Sequence, residues 1–172
     1  MQKRVLAGLL LVQFAAAPLV AQAAQQAPPT WEQMVFRQWK ALHDKILTMA
    51  KDTVFPDAKL ETRPHADSRT VLDEYRHVTI GLEMSTAQLK GTPFDYQGRL
   101  KADETKPRTR AAAVAEMEAA IAASYPTVEA SAAPRILFWL EHQAEHYGKL
   151  VSDYRLAGVV PPVSRPRTPP RP

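Results

Sequence analysis

Apolar residues recur three and four positions apart along most of this chain, and prolines separate the segments in which the recurrence holds. This spacing places side chains on one face of an α-helix, whereas no segment shows the sustained alternation that a half-buried strand requires. Glycine is scarce, with 6 in 172 residues, and alanine, leucine and charged residues dominate. The chain is therefore predicted to be all-α and long enough for one domain with its own core.

We predict four helices, a number and length typical of a four-helix bundle. They span residues 31–52, 69–90, 108–124 and 134–158. Thr30 and Gln33 have the spacing of a capping box at the start of the first helix. Pro126 is predicted to interrupt the third helix, and "GVVPP" at 158–162 to end the fourth. The segment 91–107, "GTPFDYQGRLKADETKP", contains turn residues and is predicted to be a long loop.

The first two helices carry distinct apolar faces. On the first helix the predicted buried stripe consists of Trp31, Met34, Val35, Leu42, Ile46 and Met49. On the second helix it consists of Val71, Leu72, Tyr75, Val78, Leu82 and Leu89. A second apolar patch of Ile80, Gly81 and Met84 lies on nearly the opposite side of the second helix. A helix that is apolar on two sides is expected to lie between neighbours.

The two ends of the chain differ from the predicted bundle. Residues 1–23 have the pattern of a secretory signal peptide, with Lys3 and Arg4 before an apolar run and "AQA" before a cleavage point after Ala23. The apolar run is too short to span a membrane. We therefore expect a periplasmic or secreted protein, without a membrane anchor after signal removal. Residues 24–162 would form the bundle, and residues 163–172 a disordered tail rich in proline and arginine.

Charge and cysteine content exclude several classes of function. The formal net charge is +4, and removal of Lys3 and Arg4 lowers it to +2. Arg165, Arg167 and Arg171 lie in the predicted tail, so no basic face remains for nucleic acid. The chain has no cysteine, which excludes thiolate metal ligands and a cysteine nucleophile. A metal site here would use histidine, aspartate or glutamate.

The segment "LEHQAEHYGKL" at 140–150 places His142 and His146 one helical turn apart. Two imidazoles at this spacing project from one face within reach of a single ion, although surface or core histidines share the pattern. "HQAEH" also matches the H-x-x-E-H sequence of inverted zinc proteases, with Glu145 as the general base. That site needs a downstream glutamate ligand, and none follows His146. The protease interpretation is therefore rejected.

His77, on the second helix, is the natural third ligand. It lies among apolar neighbours, so its alternative is a buried histidine bonded to a neighbouring side chain. Asp73, one turn earlier, is the candidate acceptor for its other ring proton, or an acid that favours the helix N-terminus. His43 is predicted to be exposed, and His65 lies in a connector; neither is a favoured ligand.

Three stretches resemble the DinB-like (damage-inducible) helical bundles. They are "LETRPHADSRT" at 60–70, "RTVLDEYRHV" at 69–78 and "HQAEHYGKLVSDYRLAGVVPP" at 142–162, the last being the strongest match. The resemblance implies an up-down-down-up four-helix bundle and frequent homodimers. It also implies a divalent metal, zinc or nickel above all, held by His77, His142 and His146.

Three functional hypotheses follow. The first is a metal-dependent hydrolase or transferase with an unknown small-molecule substrate, because three imidazoles leave a coordination position open. The second is a non-catalytic metal- or small-ligand-binding bundle, and the third a structural or interaction protein. Relatives implied by the resemblance include thiol-dependent transferases, a class that export makes less suitable here. Glu145, Tyr147 and Arg155 lie near the histidines in sequence, but no residue is identifiable as a general base, and the catalytic residues stay unassigned.

Overall fold

The computed structural model describes residues 28–166, so the predicted signal peptide and the last six residues lie outside the described part. Within it the chain is all-helical and has no strand. The five α-helices are α1 (Trp31–Lys51), α2 (Val71–Lys90), α3 (Tyr96–Glu104), α4 (Arg110–Glu129) and α5 (Ala133–Leu156). Two 3₁₀ turns, Asp57–Lys59 and Pro162–Ser164, follow α1 and α5.

The four long helices surround a common core. Both α1 and α2 pack mainly against α4 and α5, so each long helix has two neighbours. The capping box predicted at Thr30 and Gln33 is present. The stripe predicted on α2 is confirmed, since all six of its residues are buried. Ile80 and Gly81, on the other side of α2, are buried as well, as expected of a helix between neighbours.

Hydrogen bonds from large aromatic side chains connect the helices inside the core. Trp39 of α1 donates from its indole Nε1 to Ser124 Oγ of α4 at 3.1 Å. The Tyr154 hydroxyl of α5 donates to the Met49 carbonyl of α1 at 2.6 Å. The polar atoms of these side chains therefore keep hydrogen-bond partners inside the core. Leaving such a buried donor without a partner would cost about 1–3 kcal/mol.

Two predictions about helix boundaries are wrong. The segment 91–107 is not a continuous loop, because α3 forms within it from an N-cap at Asp95. Arg99 fixes this short helix through bonds to Glu83 of α2 and Glu116 of α4. Pro126 does not interrupt α4, which continues to Glu129. A proline inside a helix costs about 3 kcal/mol, and burial of Val128 in the next turn helps to offset that cost.

Two predictions about α1 are wrong as well. Trp31 and Met34, in the first turn of α1, are exposed rather than buried. His43 is completely buried rather than exposed. Because α1 contacts both α4 and α5, its buried face is wider than its apolar stripe. His43 Nδ1 bonds to the Trp39 carbonyl at 2.8 Å.

The end of the described chain is also in contact with the bundle. Val163 and Ser164 belong to the second 3₁₀ turn. The Arg165 guanidinium forms two hydrogen bonds with the Asp52 carboxylate just beyond α1. The first residues of the predicted tail are thus held against the bundle, while residues 167–172 lie outside the described part.

Gly81 lets α2 approach α5 closely, and this generates a prediction. A Cβ at Gly81 would lie 2.8 Å from Gln143 Nε2, and the buried Gln143 side chain bonds to the Val78 carbonyl. A Cβ at Gly148, on the exposed face of α5, would meet no atom within 4 Å. We expect Gly148→Ala to raise the free energy of unfolding by about 0.5–1 kcal/mol. Gly81→Ala should lower it by about 1–2 kcal/mol, because the amide must leave its partner.

Urea denaturation of the two variants and the wild type measures this difference. Equal stabilisation by both alanines would show that α2 and α5 are not in close contact at Gly81.

His43 gives the second prediction, on pH. Burial lowers the pKa of His43 to about 4, and the Trp39 hydrogen bond only partly opposes it. The unfolded state, with an ordinary pKa of about 6.5, therefore binds the proton first as the pH falls. The stability from neutral His43 is present above about pH 6.5 and is lost between that pH and about 4. We expect metal-free wild type to lose about 3 kcal/mol relative to His43→Leu from pH 7 to pH 4.

Denaturant titrations of both proteins across this range test the prediction. Parallel stability curves for the two proteins would contradict a neutral, buried His43.

Candidate metal centre

Three histidines from two helices converge in the structure. His77 lies on α2, and His142 and His146 lie on α5, and one ring nitrogen of each lies within 4.8 Å of the others. The Nε2 atoms of His142 and His146 are 3.2 Å apart. The His77 ring centroid lies 4.6 Å from that of His146 and 6.2 Å from that of His142. The structure thus brings together the three residues proposed as ligands.

The close contact between α2 and α5 accounts for this convergence. Gly81 lies one turn after His77, and Gln143 directly follows His142. The Gln143 side chain fits over Gly81 and donates to the Val78 carbonyl at 3.3 Å. The two backbones therefore meet beside the histidines, and the one-turn spacing on α5 puts both of its rings on the side facing α2.

A buried carboxylate, Glu74, supports the cluster. Its side chain is fully buried, and its Oε1 lies 2.6 Å from His146 Nδ1. An ionised carboxylate only accepts hydrogen bonds, so Nδ1 carries a hydrogen, and Nε2 faces His142 as the atom that would bind a metal. A carboxylate bonded behind a histidine ligand in this way is common at metal sites.

The prediction that Asp73 supplies the supporting carboxylate is wrong. Asp73 Oδ1 accepts a hydrogen bond from Arg108 at 2.9 Å and has no bond to a histidine. The sequence signal for Glu74 was its spacing from His77: residues three apart lie on one face of a helix. That spacing does not reveal that Glu74 serves His146 on α5 rather than the histidine on its own helix.

His146 and two cations lower the pKa of Glu74 inside the protein. Burial alone would raise the pKa of the Glu74 carboxyl, but the hydrogen bond from His146, the charge of Lys149, the charge interaction with His146 and the charge of Arg69 together outweigh it, so the pKa lies below its usual value. Lys149 Nζ and the Arg69 guanidinium lie 3.7 Å and 3.6 Å from Glu74 Oε2. Lys149 also pairs with the buried Asp153 at 2.7 Å.

Two of the three histidines have the protonation state that metal binding needs. Burial, followed by the charge of Arg69, lowers the pKa of His77 to about 4. Burial and the neighbouring His146 also lower the pKa of His142. Both rings are therefore neutral at pH 7, and protons compete for them only in acid.

The donor set fits a first-row divalent metal. Tetrahedral zinc with Zn–N bonds of about 2.0–2.1 Å separates two imidazole nitrogens by about 3.3 Å, close to the observed 3.2 Å between His142 and His146. Three neutral imidazoles suit zinc, nickel, copper and iron alike. The cluster could hold a divalent metal, and the residues present do not select one.

The other residues considered from the sequence lie apart from the histidine cluster. Glu145 is largely exposed, and its nearest carboxylate oxygen lies 3.9 Å from His142 Nδ1, beyond hydrogen-bond range. His65 is exposed in its connector, and His43 is buried against Trp39. Trp139, mostly buried, packs edge-on against the His142 ring with centroids 5.9 Å apart.

Comparisons with known proteins do not assign the chain to a family. No family model, no curated protein and no solved structure matches it. Among residues 28–166, no helix has both the length and the apolar character needed to cross a membrane.

The role of Glu74 gives a prediction with a matched control on the neighbouring residue. Glu74→Gln should lower metal affinity about 10- to 100-fold, because it removes the negative charge that orients and polarises His146. Asp73→Asn should leave metal affinity within about twofold, since Asp73 bonds to Arg108 instead. Competition with a chromophoric chelator measures both affinities, and circular dichroism checks that both variants fold. A larger loss of metal affinity in Asp73→Asn than in Glu74→Gln would show that Asp73, and not Glu74, supports the histidine cluster.

Proposed function

We propose that this protein is an exported metalloprotein of the DinB-like type, with one divalent metal held by His77, His142 and His146, and that it acts as a metal-dependent hydrolase or transferase on a small molecule. The observation that carries the proposal is the cluster of three histidines from two helices, one of which is hydrogen-bonded to the buried Glu74. A carboxylate bonded to a clustered histidine is the arrangement commonly found behind metal ligands.

Contacts between helix ends support an up-down-down-up connectivity. Arg110, which begins α4, donates to the Ala50 carbonyl near the end of α1 at 2.8 Å, as antiparallel helices would. Tyr154 and Met49 join the last turns of α5 and α1, as parallel helices would. The carboxylate–histidine bond joins early α2 to the second half of α5. Together these contacts favour α1 and α5 in one direction and α2 and α4 in the other.

The stretches that carry the family resemblance coincide with the site. "RTVLDEYRHV" contains the Thr70 cap of α2, Glu74 and His77. "HQAEHYGKLVSDYRLAGVVPP" contains the other two histidines, together with Lys149 and Asp153. The segments that resemble the family are thus the ones that supply the site, which supports the family proposal. The N-terminal signal pattern supports export.

The residues around the site have separable roles. A divalent metal bound to three imidazoles supplies a Lewis acid with an open position for a substrate group or a nucleophile. Glu74 holds the His146 ring, and Trp139 covers one side of His142. The Glu74 carboxylate is engaged by His146, so it does not serve as a general base. Catalysis would then depend on a metal that polarises a substrate group, and the nucleophile would be water or a second substrate.

Metal analysis of protein purified without a histidine tag tests the proposal. We expect a stoichiometric divalent metal in the wild type, and at least tenfold weaker metal binding in His77→Ala, His142→Ala and His146→Ala. His65→Ala, in the exposed connector, should bind metal like the wild type. Unchanged metal content in the three ligand variants would overturn the site.

An activity screen with esters, amides and activated thiol acceptors addresses the reaction. Turnover that disappears with chelator and returns with metal supports an enzyme. Inactivity of fully loaded protein across the screen would favour the alternative, a non-catalytic metal- or small-ligand-binding bundle.

A further inference from the structure

We propose that the cleft between α2 and α3 beside His77 binds the oxyanion group, carboxylate or phosphate, of a small organic substrate, and that Arg69 and Arg63 receive this group. The inference deepens the proposed function, since it names the substrate class of the same site. It rests on the shape of the cleft, on the hydrogen bonds of its arginines and on its apolar wall.

The cleft has a volume of about 390 Å³ and opens next to the candidate metal centre. Of the three clustered histidines, His77 lines it, so a ligand there would reach the metal from the α2 side. Its wall combines charged side chains with the apolar Ile80 and Leu100 and the aromatic Tyr96. A ligand of a few to about a dozen non-hydrogen atoms fits this volume.

The arginines of the cleft differ in how many of their N–H donors already form hydrogen bonds within the protein. Arg76 is buried and bonds to the carbonyls of Asp103 and Pro107, so it belongs to the wall. Arg63 makes one bond, from Nη1 to the Ser68 carbonyl. Arg69 makes no hydrogen bond within residues 28–166, and its nearest acid oxygen is at 3.6 Å on Glu74. Arg63 and Arg69 therefore retain donors for a ligand, in the forked geometry that suits carboxylate and phosphate.

Arg69 shares its charge with the buried Glu74, whose Oε2 lies 3.6 Å away, but the Arg69 side chain is 46% exposed and forms no hydrogen bond to that carboxylate. The acids that line the cleft itself are paired elsewhere or exposed. Asp103 pairs with Arg76 and Arg99, and Asp73 pairs with Arg108. The Asp67 side chain is 93% exposed, so water screens its charge. Arg69 also acts on the candidate metal centre. Burial is the main cause of the lowered pKa of His77, and the charge of Arg69 is the next cause. A bound divalent cation would add to this positive field, which favours an anionic substrate.

Part of the cleft wall suits an organic body, since Ile80 of α2 and Leu100 and Tyr96 of α3 line it. These side chains share the cleft with the two arginines and His77, so the cleft matches a small molecule that has an apolar or aromatic part and one oxyanion. Inorganic ions alone would leave the apolar wall unused.

Calorimetric titration with benzoate and phenyl phosphate tests the inference on metal-loaded protein. The variants are Arg69→Gln, Arg63→Gln and the matched control Arg37→Gln, whose arginine is exposed on α1. We expect at least one of the two probes to bind the wild type, and which one binds tighter identifies carboxylate or phosphate as the preferred group. Arg69→Gln should weaken that binding at least tenfold and Arg63→Gln by a smaller factor, while Arg37→Gln should match the wild type.

Two results would overturn the inference: binding of neither probe to the wild type, or equal affinity in the wild type and Arg69→Gln. Metal content measured on the same samples separates this failure from that of the proposed function. Loaded protein with an unaffected Arg69→Gln overturns the subsite alone. Protein that takes up no metal overturns the proposed function, and titration of that metal-free protein still decides whether Arg69 binds the anion.

Discussion

The hydrogen bond between Glu74 and His146 is the contact on which the site depends. It joins α2 to α5 at 2.6 Å with the carboxylate fully buried. A buried, unpaired carboxylate costs several kcal/mol, and here the imidazole N–H and the charges of Arg69 and Lys149 offset that cost. The same bond that compensates a buried charge also directs His146 Nε2 towards the other two histidines. One hydrogen bond thus both compensates the buried charge and orients a histidine of the cluster.

Polar contacts of this kind are concentrated on one side of the α2–α5 interface, and the aromatic core lies on another. Lys149 extends the charge series from Glu74 to Asp153. Tyr75 and Tyr154 meet in the core, and Tyr154 continues to α1 through Met49. The bundle can therefore keep a rigid apolar centre while a neighbouring stripe of α5 carries His142 and His146. Rigid helices are suitable supports for a metal site, because they fix ligand directions before the metal binds.

The short helix α3 gives the proposed site its substrate side. Arg99 ties it to α2 through Glu83 and to α4 through Glu116, so a nine-residue helix without a strong apolar face is held in place by charge. Its Tyr96 and Leu100 form one wall of the cleft beside His77. The histidine cluster and the cleft thus share α2, and a substrate held against α3 would meet the metal at His77.

Much of the helical architecture could be predicted because helix periodicity, capping and the His142–His146 spacing are local properties of a chain. The apolar stripe of α2 predicted burial correctly because it depends only on the 3.6-residue repeat. The predictions for His43, Pro126 and α3 were wrong because tertiary contacts determine the burial or the helicity at these positions. A second packed helix buries His43. Carboxylates distant in sequence stabilise α3, a segment that has turn residues. The site divides in the same way. His77 was a candidate by its residue type. Its distance from α5, and the choice of Glu74 over Asp73, depend on how two helices separated by more than forty residues pack, and local spacing carries no information about that.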